Sequence, residues 1–193
     1  MYNNGMTRII FLDIDGVMNS QDRAIFIHEQ YKKGIISKKE LYNWDLPYKE
    51  TLEALDYIVK NTGAKIVLSS SWRGNPKRIR KLNKCFKPYG FKIYDKTCHG
   101  VYHKDLKKLG FDLRRCCSSY TGRDTGLRYT TDRGAEIAYW LSQHPRVESF
   151  VILDDDIADI KPYYTKEHIQ TDFYKDALNM DCAKRAVNIL LEK

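Results

Sequence analysis

The chain has 193 residues, of which 42% are hydrophobic and 30% are charged, and its net charge is +8 at pH 7. This composition is typical of a globular protein and excludes a mainly disordered chain, and no apolar run reaches the roughly 18 residues of a membrane span. The positive charge favours phosphate-bearing partners, nucleic acid among them, and we expect no membrane partner. We predict a single domain over residues 1–193.

The order of apolar runs along the chain predicts strands that alternate with helices. The N-terminal segment of residues 1–17 is broken early by acidic residues, so we interpret it as a first strand rather than a signal peptide. Five cysteines without CxxC spacing favour a reducing, cytoplasmic location over a disulfide framework. The patterns predict strands at 9–12, 66–68, 91–94, 150–153 and, shorter, 167–171, and helices at 48–60, from 76, from 132 and at roughly 174–191.

This alternation predicts an α/β fold, with a three-layer, Rossmann-like and mostly parallel sheet covered by helices on both faces. Residues 95–130 show only weak periodicity, and we expect there an irregular excursion with little regular structure. In such folds ligands bind beyond the carboxyl ends of the strands. Three predicted strands end in polar triplets, DID at 13–15, SSS at 69–71 and DDD at 154–156, so one crevice is expected to collect them.

The acidic residues at two of these strand ends predict a metal site. Asp13 and Asp15 alternate on a strand and can face the same side, and Gly16 lets the backbone turn close to a ligand. Carboxylates so close together repel one another unless a cation lies between them. Mg²⁺ prefers oxygen ligands, and Asp154 and Asp155 would complete its coordination together with water and a substrate phosphate.

The segments FLDIDGVMNS, IVLSSSWR and VILDDD resemble the motifs of the haloacid dehalogenase-like (HAD) hydrolase superfamily. The combination of SSSWR, RGAEIAYWL, VILDDD and IQTD is similar, more narrowly, to the HAD-type domain of multifunctional RNA-repair proteins. The resemblance spans most of the chain. It implies a HAD-like fold with a minimal cap or none, and a Mg²⁺-dependent phosphatase that acts through an aspartyl phosphate, with nucleic-acid ends or nucleotides as possible substrates.

The resemblance also implies roles for individual residues. Asp13 is the expected nucleophile, and Asp15 is the expected acid and base, with its backbone carbonyl on the metal. Ser70 is the preferred phosphate ligand, in competition with Ser71, and Gly16 and Arg73 are further phosphate-binding candidates. The family usually has a lysine in its third motif; the candidate in this chain is Arg133, with Lys161 as a weaker substitute.

Several alternatives stay open at this point. A catalytically weak module that binds nucleic acid or protein through its basic face is the main one, and phosphoryl transfer to an acceptor other than water is another. A zinc site formed by Cys98, His99, His103, Cys116 and Cys117 is disfavoured against ordinary reduced thiols. The excursion mixes cations with aromatic residues that would grip a nucleic-acid strand or form a solvated loop, namely Lys104, Arg114, Arg115, Tyr120, Arg123, Arg128 and Tyr129.

Overall fold

The computed structural model describes residues 7–192, and the first six residues of the predicted N-terminal strand segment lie outside this range. Five parallel strands form the main sheet in the order β3-β2-β1-β7-β8. Their bounds are Thr7–Leu12 for β1, Lys65–Leu68 for β2, Ile93–Lys96 for β3, Val147–Asp154 for β7 and His168–Gln170 for β8. The predicted parallel sheet is therefore confirmed.

The central strand β1 is apolar on both faces because helices cover both sides of the sheet. Its residues 9–12 are completely buried. Alternate side chains of a strand point to opposite faces, and Ile10 and Leu12 pack in one hydrophobic cluster while Ile9 and Phe11 pack in another. The helices on the first face are α3 (Lys49–Thr62), α4 (Pro76–Phe86) and α7 (Met180–Leu191), and α6 (Arg133–Ser142) covers the second face.

The strand ends meet at one edge, as the sequence predicts. Leu12 pairs with Leu68 of β2 on one side and with Leu153 of β7 on the other. Backbone hydrogen bonds continue the two ladders by one step, since the Asp13 amide donates to the Leu153 carbonyl and the Ser69 amide donates to the Leu12 carbonyl. The polar triplets at the ends of these strands therefore start side by side.

The prediction that residues 95–130 hold little regular structure is wrong. This excursion contains α5 (His103–Lys108) and a three-stranded antiparallel sheet in the order β4-β6-β5, with β4 at Val101–Tyr102, β5 at Tyr120–Thr121 and β6 at Arg128–Thr130. Val101 and Leu106 pack against Ala135 of α6 in a small hydrophobic cluster. Strands of two or three residues are too short to show a period-2 pattern, so the sequence gives no signal for them.

The C-terminal helix begins later than predicted. It starts at Met180 because the side chain of Asn179 caps it by accepting from the Cys182 amide. Residues before it form a turn, in which the Ala177 amide donates to the Asp172 carbonyl and Ala177 has a φ of 49°. The asparagine cap, which fits the preferred N-cap residues, is thus the correct start signal.

Two helices that the sequence did not predict lie between the first strand and α3. They are α1 (Gln21–Lys32) and α2 (Lys38–Leu41), and none of their residues is buried. This small insertion agrees with the expected minimal cap. Within residues 7–192 no helix is long and apolar enough to cross a bilayer.

Candidate active site

The carboxylates of Asp13, Asp154 and Asp155 converge where β1 and β7 end. One oxygen of each lies within 4.8 Å of the other two. Asp13 and Asp154 are buried, at 8% and 3% exposure, and Asp155 is half-buried. Among residues 7–192 this is the one group of three or more acidic, histidine or cysteine side chains close enough to hold a metal ion.

Burial of these three carboxyl groups disfavours their ionised forms. Burial raises the pKa of Asp13 from 3.8 to about 6, against the charge of Arg133 and a hydrogen bond from the Ser70 side chain. The pKa of Asp154 is raised well above its usual value by burial and then by the charge of Asp13, and burial also raises the pKa of Asp155. A divalent cation between the three carboxylates would offset this destabilisation of the charged forms.

The three carboxylates fit a hard cation, because all their donor atoms are oxygens. Asp15 does not join this group with its side chain. No thiolate belongs to this group of ligand atoms. Among the described residues, the cysteines and histidines of the excursion form no comparable group that could hold a zinc ion. Cys98, Cys116 and Cys117 are free thiols.

Gly16 makes room for Asp155. A Cβ atom at this position would lie 2.3 Å from Asp155 Cγ, and the φ of Gly16 is +77°, a conformation that side chains rarely adopt. The Gly16 carbonyl accepts a hydrogen bond of 2.7 Å from the Thr171 hydroxyl. The glycine therefore lets the loop after β1 pass directly against the acidic residues after β7.

Arg133 supplies the positive charge nearest to the carboxylates. It is the first residue of α6, and its Nε lies 3.6 Å from Asp154 Oδ2. Its backbone amide donates to Asp159 Oδ2 at 2.9 Å, which fixes the helix start beside β7. The side chain is only 18% exposed. Lys161, the weaker candidate for this role, is exposed and makes no salt bridge among the described residues.

The two candidate serines differ in their surroundings. Ser70 is completely buried and its hydroxyl accepts from the Trp72 amide at 3.3 Å, whereas Ser71 is exposed at the start of a short 3-10 turn, Ser71–Gly74. Ser70 also contacts Asp13, whose pKa its side chain lowers. This placement favours Ser70 over Ser71 as the hydroxyl nearest to the Asp13 carboxylate.

Arg73, expected as a phosphate ligand, is bonded inside the protein instead. Its Nη2 lies 2.6 Å from Glu136 Oε2 and its Nη1 donates to the Ser70 carbonyl at 2.9 Å. Both side chains of the pair are at most 4% exposed. Arg133 Nη1 lies 3.6 Å from the same Glu136 oxygen. The Arg73 side chain therefore holds the backbone of Ser70, and Glu136 contacts both arginines.

Asp15 lies at the solvent side of the site, with its side chain 47% exposed. Two neutral donors hold its carboxylate: Asn19 Nδ2 donates to Oδ1 at 3.0 Å and Trp72 Nε1 donates to Oδ2 at 2.9 Å. Arg78 lies 4.0 Å from Oδ2 and stacks on the Trp72 ring. A fixed and accessible carboxyl group suits proton transfer to and from a bound molecule.

Sequence reasoning missed three of these residues, Asn19, Trp72 and Glu136. Asn19 lies four residues after Asp15, and Trp72 lies inside SSSWR, so their positions beside the motifs are the available signals. Glu136 lies three residues after Arg133 on a helix, a spacing that normally indicates an exposed ion pair. Its burial depends on packing against the excursion, which the sequence does not reveal.

The fold and the site together define a hydrolase-type domain of the HAD-like class. A family model described as the HAD domain in Swiss Army Knife RNA repair proteins matches residues 9–177, and the chain belongs to this family. Searches of curated proteins and of solved structures found no significant match. Family membership points to a hydrolase that works in RNA repair.

Proposed function

We propose that this chain is a Mg²⁺-dependent phosphomonoesterase that uses Asp13 as its nucleophile and acts on phosphorylated nucleic-acid ends. The observation that carries the proposal is the convergence of Asp13, Asp154 and Asp155 within 4.8 Å, with Arg133 lying 3.6 Å from Asp154. Family membership and the net charge of +8 support a nucleic-acid substrate. When bound, Mg²⁺ would be held by these three acids and the Asp15 carbonyl, and it would offset negative charge on the phosphoryl group.

In the first step the Asp13 carboxylate attacks phosphorus, and the bond from phosphorus to the leaving oxygen breaks as the aspartyl phosphate forms. Asp15 gives its proton to that oxygen. Ser70 and the Arg133 guanidinium bind the phosphoryl oxygens and stabilise the charge that develops on them. The role of Arg73 in this proposal is to hold the Ser70 carbonyl rather than to touch the phosphate.

In the second step a water molecule attacks the aspartyl phosphate. Asp15 accepts the proton of this water, the bond between phosphorus and the Asp13 oxygen breaks, and inorganic phosphate leaves. Asn19 and Trp72 keep the Asp15 carboxyl group in one orientation through both transfers. The enzyme returns to its starting state, with Asp13 ionised and Asp15 protonated.

The test is Mg²⁺-dependent phosphate release from p-nitrophenyl phosphate, nucleotides and oligonucleotides with 3′- or 5′-phosphates. We expect Asp13→Asn to lower kcat by at least about 10³-fold, because loss of a nucleophile removes the covalent route. Asp156→Asn is a matched control, since Asp156 belongs to the same acidic triplet but lies outside the group of three acids. It should retain activity.

Equal inertness of the wild-type chain and Asp13→Asn would contradict the phosphatase proposal. If both also bound oligonucleotides, the catalytically weak binding module would replace it. Release that needs an added alcohol acceptor, rather than water, would identify a phosphotransferase built on the same residues.

A further inference from the structure

The three-stranded sheet of the excursion carries a row of tyrosines beside the candidate active site. The ring of Tyr129 on β6 lies between those of Tyr102 on β4 and Tyr120 on β5, with ring centroids 6.4 Å and 5.5 Å apart. Tyr102 and Tyr120 are 38% and 50% exposed. Neighbouring exposed rings on one sheet form the kind of contiguous aromatic patch that marks a binding surface.

A cavity of about 320 Å³ opens next to these rings. Two glycines help to form it: a Cβ atom on Gly100 would lie 3.0 Å from the Tyr129 ring, and one on Gly122 would lie 2.5 Å from the Thr125 hydroxyl. Its lining residues are His99, Gly100, Tyr102, Gly122, Arg123, Asp124, Thr125 and Tyr129. A cavity of this size can hold one planar ring, and Tyr102 and Tyr129 in its lining offer aromatic faces to such a ring.

Two contacts fix the cavity next to the residues that would bind phosphate. The Gly100 amide donates to Glu136 Oε1 at 2.8 Å, and Glu136 in turn pairs with Arg73 and Arg133. On the other side a Cβ atom on Gly74 would lie 3.0 Å from His99 Nε2, so His99 packs against the turn that follows Ser70. A ligand in the cavity therefore lies beside the predicted phosphate site.

The charge of this region suits a polyanion. Residues 96–133 contain nine lysines and arginines against four aspartates, a net charge of +5. Lys104 Nζ lies 5.5 Å from the centre of the Tyr102 ring, and Arg128 donates to the Ser119 hydroxyl, so cations border the tyrosine row. By contrast, the cavity of about 550 Å³ on the Asp155 side is lined by Asp155, Asp172 and Asp176, which repel phosphates.

We propose that Tyr102, Tyr120 and Tyr129, with the cavity between residues 99–102 and 122–125, bind the bases of a single-stranded nucleic acid whose terminal phosphate lies at Asp13. Stacking on exposed rings is tolerant of sequence, and cations alongside them follow the phosphate backbone. This inference rests on the proposed function and extends it, since it selects strand ends over small phosphomonoesters.

The test is equilibrium binding of a fluorescent single-stranded oligonucleotide with a terminal phosphate, measured by anisotropy with Asp13→Asn so that no turnover consumes the probe. In that background we expect Tyr120→Ala and Tyr102→Ala each to weaken binding by about 5- to 100-fold, while Tyr94→Ala stays within about twofold. Tyr94 is a matched control, because it is 50% exposed, as Tyr120 is. It lies on β3 of the main sheet beside Lys65, away from the strand ends that carry the candidate active site.

A second probe separates base stacking from charge. An oligonucleotide with abasic terminal positions should bind Asp13→Asn more weakly than the normal probe does. The tyrosine variants, which each lack one ring, should distinguish less between the two probes than Asp13→Asn does. Equal affinity for normal and abasic probes, or no effect of either tyrosine, would overturn the proposal. Phosphate release from p-nitrophenyl phosphate by the wild-type chain tests the phosphatase function separately, so failure of one leaves the other standing.

Discussion

The five-stranded parallel sheet and the three-stranded antiparallel sheet differ in burial and in the task that each suits. The first is covered on both faces, and its central strand places Asp13 next to the end of β7 through a continuous ladder. The second has strands of two or three residues with exposed rings. Reacting groups need a rigid support, whereas contacts that choose a substrate are commonly made by shorter surface segments.

Glu136 connects the two sheets, so its removal tests whether they are independent. We expect Glu136→Ala to lower the free energy of unfolding by about 3–5 kcal/mol, because it leaves the Arg73 guanidinium buried without its partner. Urea unfolding measures the change. As a control, Glu53→Ala breaks the exposed Lys49–Glu53 pair and should cost less than about 1 kcal/mol. Similar losses in both variants would show that Glu136 does not join the sheets.

The acidic end of the main sheet predicts a pH dependence that the tyrosine sheet should not share. The pKa of Asp13 is raised to about 6, so its contribution to stability is complete below its ordinary value of 3.8 and is lost as pH rises through about 6. In EDTA, the free energy of unfolding of Asp13→Asn should therefore rise, relative to that of the wild type, by roughly 1–3 kcal/mol between pH 4 and pH 7.5. Thermal unfolding of both chains across this range gives the difference.

Added Mg²⁺ should make the wild type the more stable of the two chains at pH 7.5, since only the wild type keeps all three carboxylates for the ion. A difference that stays flat between pH 4 and pH 7.5 would mean that Asp13 keeps an ordinary pKa in the folded chain. Such a result would weaken the contrast between an edge of the main sheet whose stability depends on pH and a second sheet whose stability does not.

Gly16→Ala should strain the loop after β1, as any alanine at this φ would, and it should also weaken the proposed metal site selectively. The added methyl group would displace Asp155, and we expect Mg²⁺ affinity to fall by about tenfold or more. Gly34→Ala is the matched control, because Gly34 has a similar φ of +71° but no atom within 4 Å of the added group. The Mg²⁺ dependence of the unfolding temperature distinguishes them, and equal dependence in both variants would contradict the role given to Gly16.

The main sheet could be predicted from the sequence because its strands are continuous apolar runs with polar ends. The triplets after β1, β2 and β7 do meet, since parallel strands bring their carboxyl ends to one edge. The second sheet was missed because strands as short as β4 have no detectable period. The resemblance implied a phosphate-binding role for Arg73, and only the tertiary contact with Glu136 shows that its guanidinium lies inside the protein.

The strand order β3-β2-β1-β7-β8 has a consequence for folding. β1 pairs with β2 after one helix-containing connection, but its pairing with β7 closes a loop that contains most of the chain. Closing a long loop slows folding, because its entropy is lost before the contacts form. During synthesis Asp13 and Ser70 can therefore be in place while Asp154 is still absent, and the chain gains its full set of carboxylates only after β7 has joined the sheet.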